Sequence, residues 1–289
     1  MKKGDKGYSS ALYVWNGLSV FWGTSFNTSP HSHDTLQLAF DIDRKFRLKD
    51  QNTPWQEHSA AIIRAGHVHQ LDSNGSIQLF LYLDRDSTYA KQLTEKYLSD
   101  SNISNLEGSD IRTLSNDFFK RLLVITNCDE LFHGCYTILK HLIELGKPAK
   151  RDERVDKAIA FIIRSQNKPF KVKDVADHVY LSESRLRHLF KEQVGQPIQN
   201  FILWMRVVDS LNLVLKGKRL DQTAYASGFW DPSHMNRSYK ELLGVAPGAI
   251  KKYEDDIRII ACDSKSLYTF STEIFDDWDV DRPNRIIET

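Results

Sequence analysis

The chain has 289 residues, of which 41% are hydrophobic and 27% charged, with a formal net charge of +1. That length and composition allow two globular cores and exclude a disordered or fibrous protein. No run approaches the roughly 18 apolar residues of a membrane span, and the polar start Met1-Lys2-Lys3-Gly4-Asp5 shows no signal peptide.

The first hundred residues read as β-structure. Leu36, Leu38, Phe40 and Ile42 alternate with Gln37, Ala39 and Asp41, the period of a strand with one buried face. Ile77, Leu79, Leu81 and Leu83 alternate with Gln78, Phe80 and Tyr82, where both faces look apolar. Pro30, Pro54, Gly66 and Asn74-Gly75 punctuate the strands as turns, and short strands so spaced suggest a sandwich or barrel. His31-Ser32-His33 precedes one strand, and Gly66-His67-Val68-His69 follows another.

From 110 to 145 the pattern is helical, with Leu114, Phe118, Leu122 and Ile125 on one stripe and Tyr136, Leu139, Leu142 and Ile143 on another. Such a hairpin packs either on its own barrel or on a second copy. Gly146-Lys147-Pro148-Ala149-Lys150 reads as a linker. Cys128, Cys135 and Cys262 are few, odd in number and without CxxC spacing, which fits a reducing cytoplasm and no structural zinc.

Net charge near zero hides a strong segregation. Residues 151–253 hold 18 Lys and Arg against 11 Asp and Glu, residues 1–150 balance at 17 and 17, and the tail from Glu254 holds 4 against 10. The basic segment is also the repeated one. Ala176, Leu181-Ser182, Leu186, Leu189-Phe190-Lys191, Gly195 and Pro197 are answered by Ala224, Gly228-Phe229, Asp231-Pro232-Ser233, Met235, Tyr239-Lys240, Gly244 and Pro247. Each copy reads as helix, turn, helix.

A helix over 154–164 carries Val155, Ile159 and Ile162 inward, and the next buries Val172, Val175, Ala176 and Val179. Ser182 is the expected N-cap of the following helix, whose exposed side holds Ser184, His188 and Lys191, flanked by Arg185 and Arg187. Ile198 to Leu215 form one long helix that holds the two units apart, with Arg206 either a phosphate contact or an ordinary surface arginine. In the second copy Asp231 caps a helix that opens on Pro232. Ser233, Arg237 and Lys240 face out with His234 and Asn236 beside them, so Arg237 takes the place of His188. Arginine is the commonest reader of guanine.

Residues 154–253 resemble the DNA-binding domain of the AraC family of transcriptional regulators. The resemblance rests on Val175-Ala176, Ser182, Leu186, Leu189-Phe190-Lys191, Gly195, Arg206, Gly228-Phe229, Asp231, Ser233, Arg237, Gly244 and Pro247. Thr223, Met235 and Ile250-Lys251 depart from the usual pattern. The His31-Ser32-His33 and Gly66-His67-Val68-His69 segments resemble the cupin barrel, and a cupin-like sensor in front of this domain is a common arrangement in the family.

The resemblance implies an α+β multidomain protein. A cupin-like β-barrel with a helical hairpin over 1–145 senses and dimerises, an all-α tandem helix-turn-helix domain over 151–253 binds double-stranded DNA, and an acidic tail covers 254–289. It implies a small-molecule effector held by His31, His33, Gln37, His67 and His69, with a homodimer and RNA polymerase as further partners. No catalytic residue, cofactor, metal ion or membrane is called upon, and the expected location is the cytoplasm. At the histidines, metal binding, organic-ligand binding and plain exposed turn residues all stay open. The rival class is a cupin metalloenzyme using His31, His33 and His67, although Gln37 stands where its carboxylate ligand belongs. In the tail, Asp276-Asp277-Trp278-Asp279 either competes with DNA for the basic face or belongs to a solvated, poorly ordered segment.

Overall fold

The computed structural model describes residues 10–24, 27–106, 109–124, 128–143, 152–165, 169–243, 246–248 and 257–262. The first half is built of β1 (Ser10–Val14), β2 (Leu18–Thr24), β3 (Thr35–Asp41), β4 (Phe46–Asp50), β5 (Gln56–His58), β6 (Ala60–Ile63), β7 (His69–Asp72) and β8 (Ile77–Asp84), then α1 (Thr88–Tyr97), β9 (Ile103–Asn105), α2 (Ser109–Val124) and α3 (Cys128–Leu142). The second half holds α4 (Glu153–Arg164), α5 (Val172–His178), α6 (Glu183–Val194), α7 (Ile198–Leu215), α8 (Leu220–Ala226), α9 (Pro232–Leu243) and β10 (Ile257–Ala261). The architecture is α+β, as the patterns predict.

The strands form two sheets and not a closed barrel. One has seven strands in the order β10-β1-β2-β8-β3-β6-β9, the other three in the order β5-β4-β7. Asn74 and Gly75, at φ 52° and 70°, turn the chain from the small sheet into β8. The alternation in β3 predicts one buried face, yet all seven of its residues are buried. Leu36, Leu38 and Phe40 pack beneath the helices, whereas Ala39 joins Phe46, Leu48, Ala61, Ile63, Leu71 and Phe80 between the sheets. Gln37 and Asp41 are therefore buried polar residues on a face that the second sheet covers.

The helical hairpin packs on its own sheet: Phe118 and Leu122 of α2 and Leu131, Ile138, Leu139 and Leu142 of α3 share one core with Leu36, Leu38 and Leu81. The apolar stripe that could serve a second copy is thus used within the chain. The linker 146–150 lies outside the described residues.

Residues 257–262 of the tail belong to the fold. Residues 257–261 add β10 to the edge of the large sheet, parallel to β1, with Leu12 opposite Ile259. Ile257, Ile259 and Ile260 give the strand its apolar character, which the surrounding acids mask in any average over the tail. Cys262 then bonds Cys128 at the start of α3, with the Cα atoms 5.6 Å apart, while Cys135 is free and buried. The disulfide departs from the reducing setting that the cysteine pattern fits, and residues 257–262 depart from a solvated, poorly ordered tail. Asp276 to Asp279 lie outside the described residues.

The helical half has two cores, one for each repeat. Val155, Ile159, Val175, Ala176, Leu186 and Phe190 pack together, closed by Phe201 and Met205 of α7. Val207, Leu211, Ala224, Phe229, Met235 and Tyr239 form the second, and Val14 of β1 is part of it. The second unit is consequently seated on the edge of the sheet.

Candidate nucleic-acid interface and the histidine cluster

The two helix-turn-helix units repeat at the level of single hydrogen bonds. After α5, Leu181 N–H donates to the Ala176 carbonyl (2.9 Å), and after α8, Phe229 N–H donates to the Ala224 carbonyl (2.9 Å). This six-to-one closure needs a left-handed residue just before it. Tyr180 supplies it in the first unit (φ 56°) and Gly228 in the second (φ 83°). The second turn then holds one extra residue, the exposed Trp230, before its capping residue.

The second helix of each unit is capped as its sequence predicts. Ser182 Oγ accepts from Arg185 N–H (3.2 Å), and Asp231 Oδ1 accepts from His234 N–H (2.7 Å). Gly195 ends α6 in the left-handed region at φ 81°. In α6, Ser184, Arg185, His188 and Lys191 are exposed on one side, opposite buried Leu186, Leu189 and Phe190. In α9, Ser233, Arg237 and Lys240 are exposed, opposite buried Met235 and Tyr239.

Four expected contacts are placed less openly. Arg187 is half-buried and pairs with Glu183 (2.9 Å) one turn earlier. His234 lies edge-on to Phe229, with its Nδ1 buried, and Asn236 is half-buried beside it. Arg206 is half-buried and donates to the Phe170 carbonyl (3.3 Å), and burial lowers its pKa. It braces α7 against the segment leading into α5.

Between the units, α7 runs 18 residues, about 27 Å at the usual rise. Its first half is held by the β-half of the protein. Asn16 Nδ2 donates to the Phe201 carbonyl (3.0 Å), Gln196 Nε2 to Asn16 Oδ1 (3.3 Å), Asn200 Nδ2 to Asp86 Oδ2 (2.9 Å) and Trp204 Nε1 to Asp84 Oδ2 (2.8 Å). Gly17, next to Asn16, is left-handed at φ 76°, a conformation that favours glycine. None of these contacts can be read from periodicity, because both partners are polar and far apart in sequence.

The histidines of the β-half divide into two groups. His31 and His69 face each other across an isolated antiparallel bridge with reciprocal backbone bonds of 3.0 and 2.9 Å. Their rings are 4.5 Å apart, and the His33 ring lies 4.7 Å from His31 and 5.7 Å from His69. One nitrogen from each lies within 4.8 Å of the others, the only such trio among the described residues. Burial, with the neighbouring imidazoles, holds the pKa of His33 down to about 3 and that of His69 to about 4. His67 turns elsewhere, its Nε2 2.9 Å from Asp50 Oδ2. The trio is therefore His31, His33 and His69, and the enzyme reading that used His67 loses its third ligand. Tyr82 lies beside His33 (5.3 Å between rings). Gln37, its register partner, is buried with Oε1 unpartnered. A separate recess of about 200 Å3 is lined by residues that include Leu48, Asp50, Gln56 and His58.

Comparison with known proteins bears on the helical half. A family described as a helix-turn-helix domain matches residues 175–253. The uncharacterized HTH-type transcriptional regulator YidL of Escherichia coli (strain K12) is 29% identical over 111 residues, 38% of this chain and 37% of that one. The HTH-type transcriptional activator RhaR of Klebsiella pneumoniae is 26% identical over 115 residues, 39% of this chain and 41% of that one. Residues 175–253 form an AraC-type helix-turn-helix domain.

The chain spans about two-fifths of the length of these curated relatives. Among solved structures, ToxT from Vibrio cholerae O395 is 17% identical, covering 85% of this chain and 97% of that one, at a TM-score of 0.40. The DNA-binding domain of AdpA in complex with a target DNA is 20% identical, covering 35% and 93%, at a TM-score of 0.34. No helix among the described residues is long and apolar enough to cross a membrane.

Proposed function

We propose that the protein is a sequence-specific DNA-binding transcription regulator in which residues 151–253 read the operator and residues 1–145 sense an effector. The observation that carries this is the pair of capped helices α6 and α9, each with a buried apolar side and an exposed basic and polar side. Lysines and arginines there neutralise phosphates, and Ser184, His188, Ser233 and Arg237 are presented to base edges. With α7, about 27 Å long, standing between the two units, the helices suit successive major-groove segments on one face of the duplex.

The β-half is joined to the reader by the bonds at Asn16, Asp84 and Asp86, so an occupant there has a physical route to α7. A small-molecule effector, a homodimer, contact with RNA polymerase and a cytoplasmic location complete this reading and rest on the family resemblance.

Selection from a random duplex pool at near-physiological salt tests it. Two half-elements about one helical turn apart are expected. A single half-element would reduce one unit to a positioning role, and no enrichment by folded protein, with or without cell-extract metabolites, would remove DNA as the partner.

A further inference from the structure

We propose that His31, His33 and His69 form a binding site for a divalent late first-row transition metal ion of the zinc and cobalt type. The backbone first fixes the trio. The reciprocal bonds between His31 and His69, together with a bond from Gly66 N–H to the His33 carbonyl (2.6 Å), clamp the two segments that carry the rings.

Tautomers follow from the partners. His31 Nδ1–H donates to the Ser29 carbonyl (2.9 Å) and His69 Nδ1–H to the His67 carbonyl (2.9 Å), since a carbonyl can only accept. Each ring is thereby left with an Nε2 lone pair, the arrangement by which metal-binding histidines are held by a second hydrogen bond.

The His69 lone pair has nowhere else to go. His69 is 2% exposed, and its Nε2, like that of His33, is buried with no hydrogen-bond partner. Buried polar atoms are rarely left so. An ordinary structural trio of histidines would pair ring to ring or with a carboxylate, as His67 does with Asp50.

The donor set selects the ion. Three neutral imidazoles without a carboxylate are poor ligands for magnesium or calcium and good ones for zinc, cobalt, nickel or copper. Tetrahedral geometry at ordinary bond lengths wants donors ~3.4 Å apart, closer than the 4.8 Å limit within which these lie. His31 and His33 are only half-buried and can turn inward, while His69 is fixed. Three protein ligands leave a fourth position open for water or a small anion.

The site also lies close to the bonds that hold α7. Asp34, next to His33, pairs with Arg85 (2.9 Å), and Thr35 is the register partner of Asp84, which accepts from Trp204. Loading the trio thus bears on the strand ends that grip the reader. This consequence rests on the proposed sensor role, whereas the metal site itself does not.

The test uses full-length protein without a histidine tag, stripped with chelator and titrated with Co2+ while visible absorption is recorded. One equivalent is expected to bind with the intense bands of a low-coordinate ion and to be displaced by one equivalent of Zn2+ but not by Mg2+. His31→Gln and His69→Gln should each weaken binding by roughly a hundredfold or more, with the far-UV circular dichroism unchanged. His31 is partly exposed, so its variant stays informative if the His69 variant does not fold. His141→Gln, on the exposed side of α3, should change nothing. The proposal is overturned if folded protein takes up no cobalt, if neither ligand variant alters uptake, or if His67→Gln abolishes it while His69→Gln does not. A cobalt site that forms without altering operator affinity would uphold the metal site and refute metal sensing alone.

Discussion

Trp204 Nε1 donates a 2.8 Å hydrogen bond to Asp84 Oδ2, joining side chains 120 residues apart that are both buried. Asp84 Oδ1 also accepts from Asp86 N–H (2.8 Å), so both carboxyl oxygens are occupied. Burial nevertheless raises the Asp84 pKa above its ordinary value, outweighing these bonds. The native state then keeps a proton that the unfolded chain has released. Stability from the neutral acid is complete below the ordinary carboxylate pKa and is lost as pH rises through the raised one. Asp84→Asn should flatten that segment of the stability-against-pH curve. Trp204→Phe should cost about 1–3 kcal/mol by stranding a buried acceptor. Urea unfolding across pH 3–8 measures both (a range of roughly ordinary carboxylate to neutral pH), and an unaltered curve in Asp84→Asn would place the pH dependence elsewhere.

The first helix-turn-helix pays a backbone cost that the second avoids. Tyr180 sits at φ 56° with its side chain 94% exposed, where the second unit has Gly228. A left-handed conformation costs a residue with a Cβ about 1–2 kcal/mol, and the exposed ring returns little packing. Glycine gives back part of the gain through its freer unfolded chain. Tyr180→Gly should therefore stabilise the protein by about 0.5 kcal/mol net, read as a raised urea midpoint at unchanged slope. A lowered midpoint would mean that the ring packs in solution.

Thr223 occupies the position that Val175 holds in the first unit. It is 1% exposed, and its Oγ1 is buried without a partner. Valine has nearly the same shape and no hydroxyl to satisfy. Thr223→Val should stabilise the second unit by about 1–2 kcal/mol, whereas Val175→Thr should destabilise the first by a similar amount. Thermal unfolding of the two variants checks the pair, and a loss in both would show that the Thr223 hydroxyl finds a partner in solution.

Local rules carried the sequence reading furthest where neighbours in the chain are neighbours in space. The helix expected over 154–164 is found at 153–164, and the caps Ser182 and Asp231 hold their predicted places because cap, turn and stripe all lie within one or two turns of helix. β3 and β8 were legible for the same reason. What could not be read were pairings set by distant segments. β10 is a strand because β1, nearly 250 residues earlier, lends it an edge. His69 joins the trio and His67 does not because the His31–His69 bridge sets the register, and sequence offers both histidines on equal terms. The polar seam of Asn16, Asp84 and Asp86 against α7 left no periodic trace at all.

Arg237 and His188 occupy equivalent places in α9 and α6, both exposed, yet their chemistry differs. His188 has Glu192 3.9 Å away on the next turn, whereas the long Arg237 side chain projects from a helix whose inner side is fixed by Met235 and Tyr239. The Tyr239 hydroxyl is itself locked to Ser210 Oγ (2.8 Å) of α7, so α9 cannot roll to hide Arg237 without breaking a buried bond. A guanidinium held in this way can make a paired contact with guanine O6 and N7. Arg237→Ala should cost about 1–3 kcal/mol at the selected site and relax preference at one base pair. Lys240→Ala, one turn further along, should weaken all sequences alike and lower the salt dependence of binding by about one phosphate contact. Titrating both variants against the selected duplex and a scrambled one at several salt concentrations separates the two roles. An equal loss on both duplexes for Arg237→Ala would make it a phosphate contact and leave base reading in the second unit to Ser233 and its neighbours.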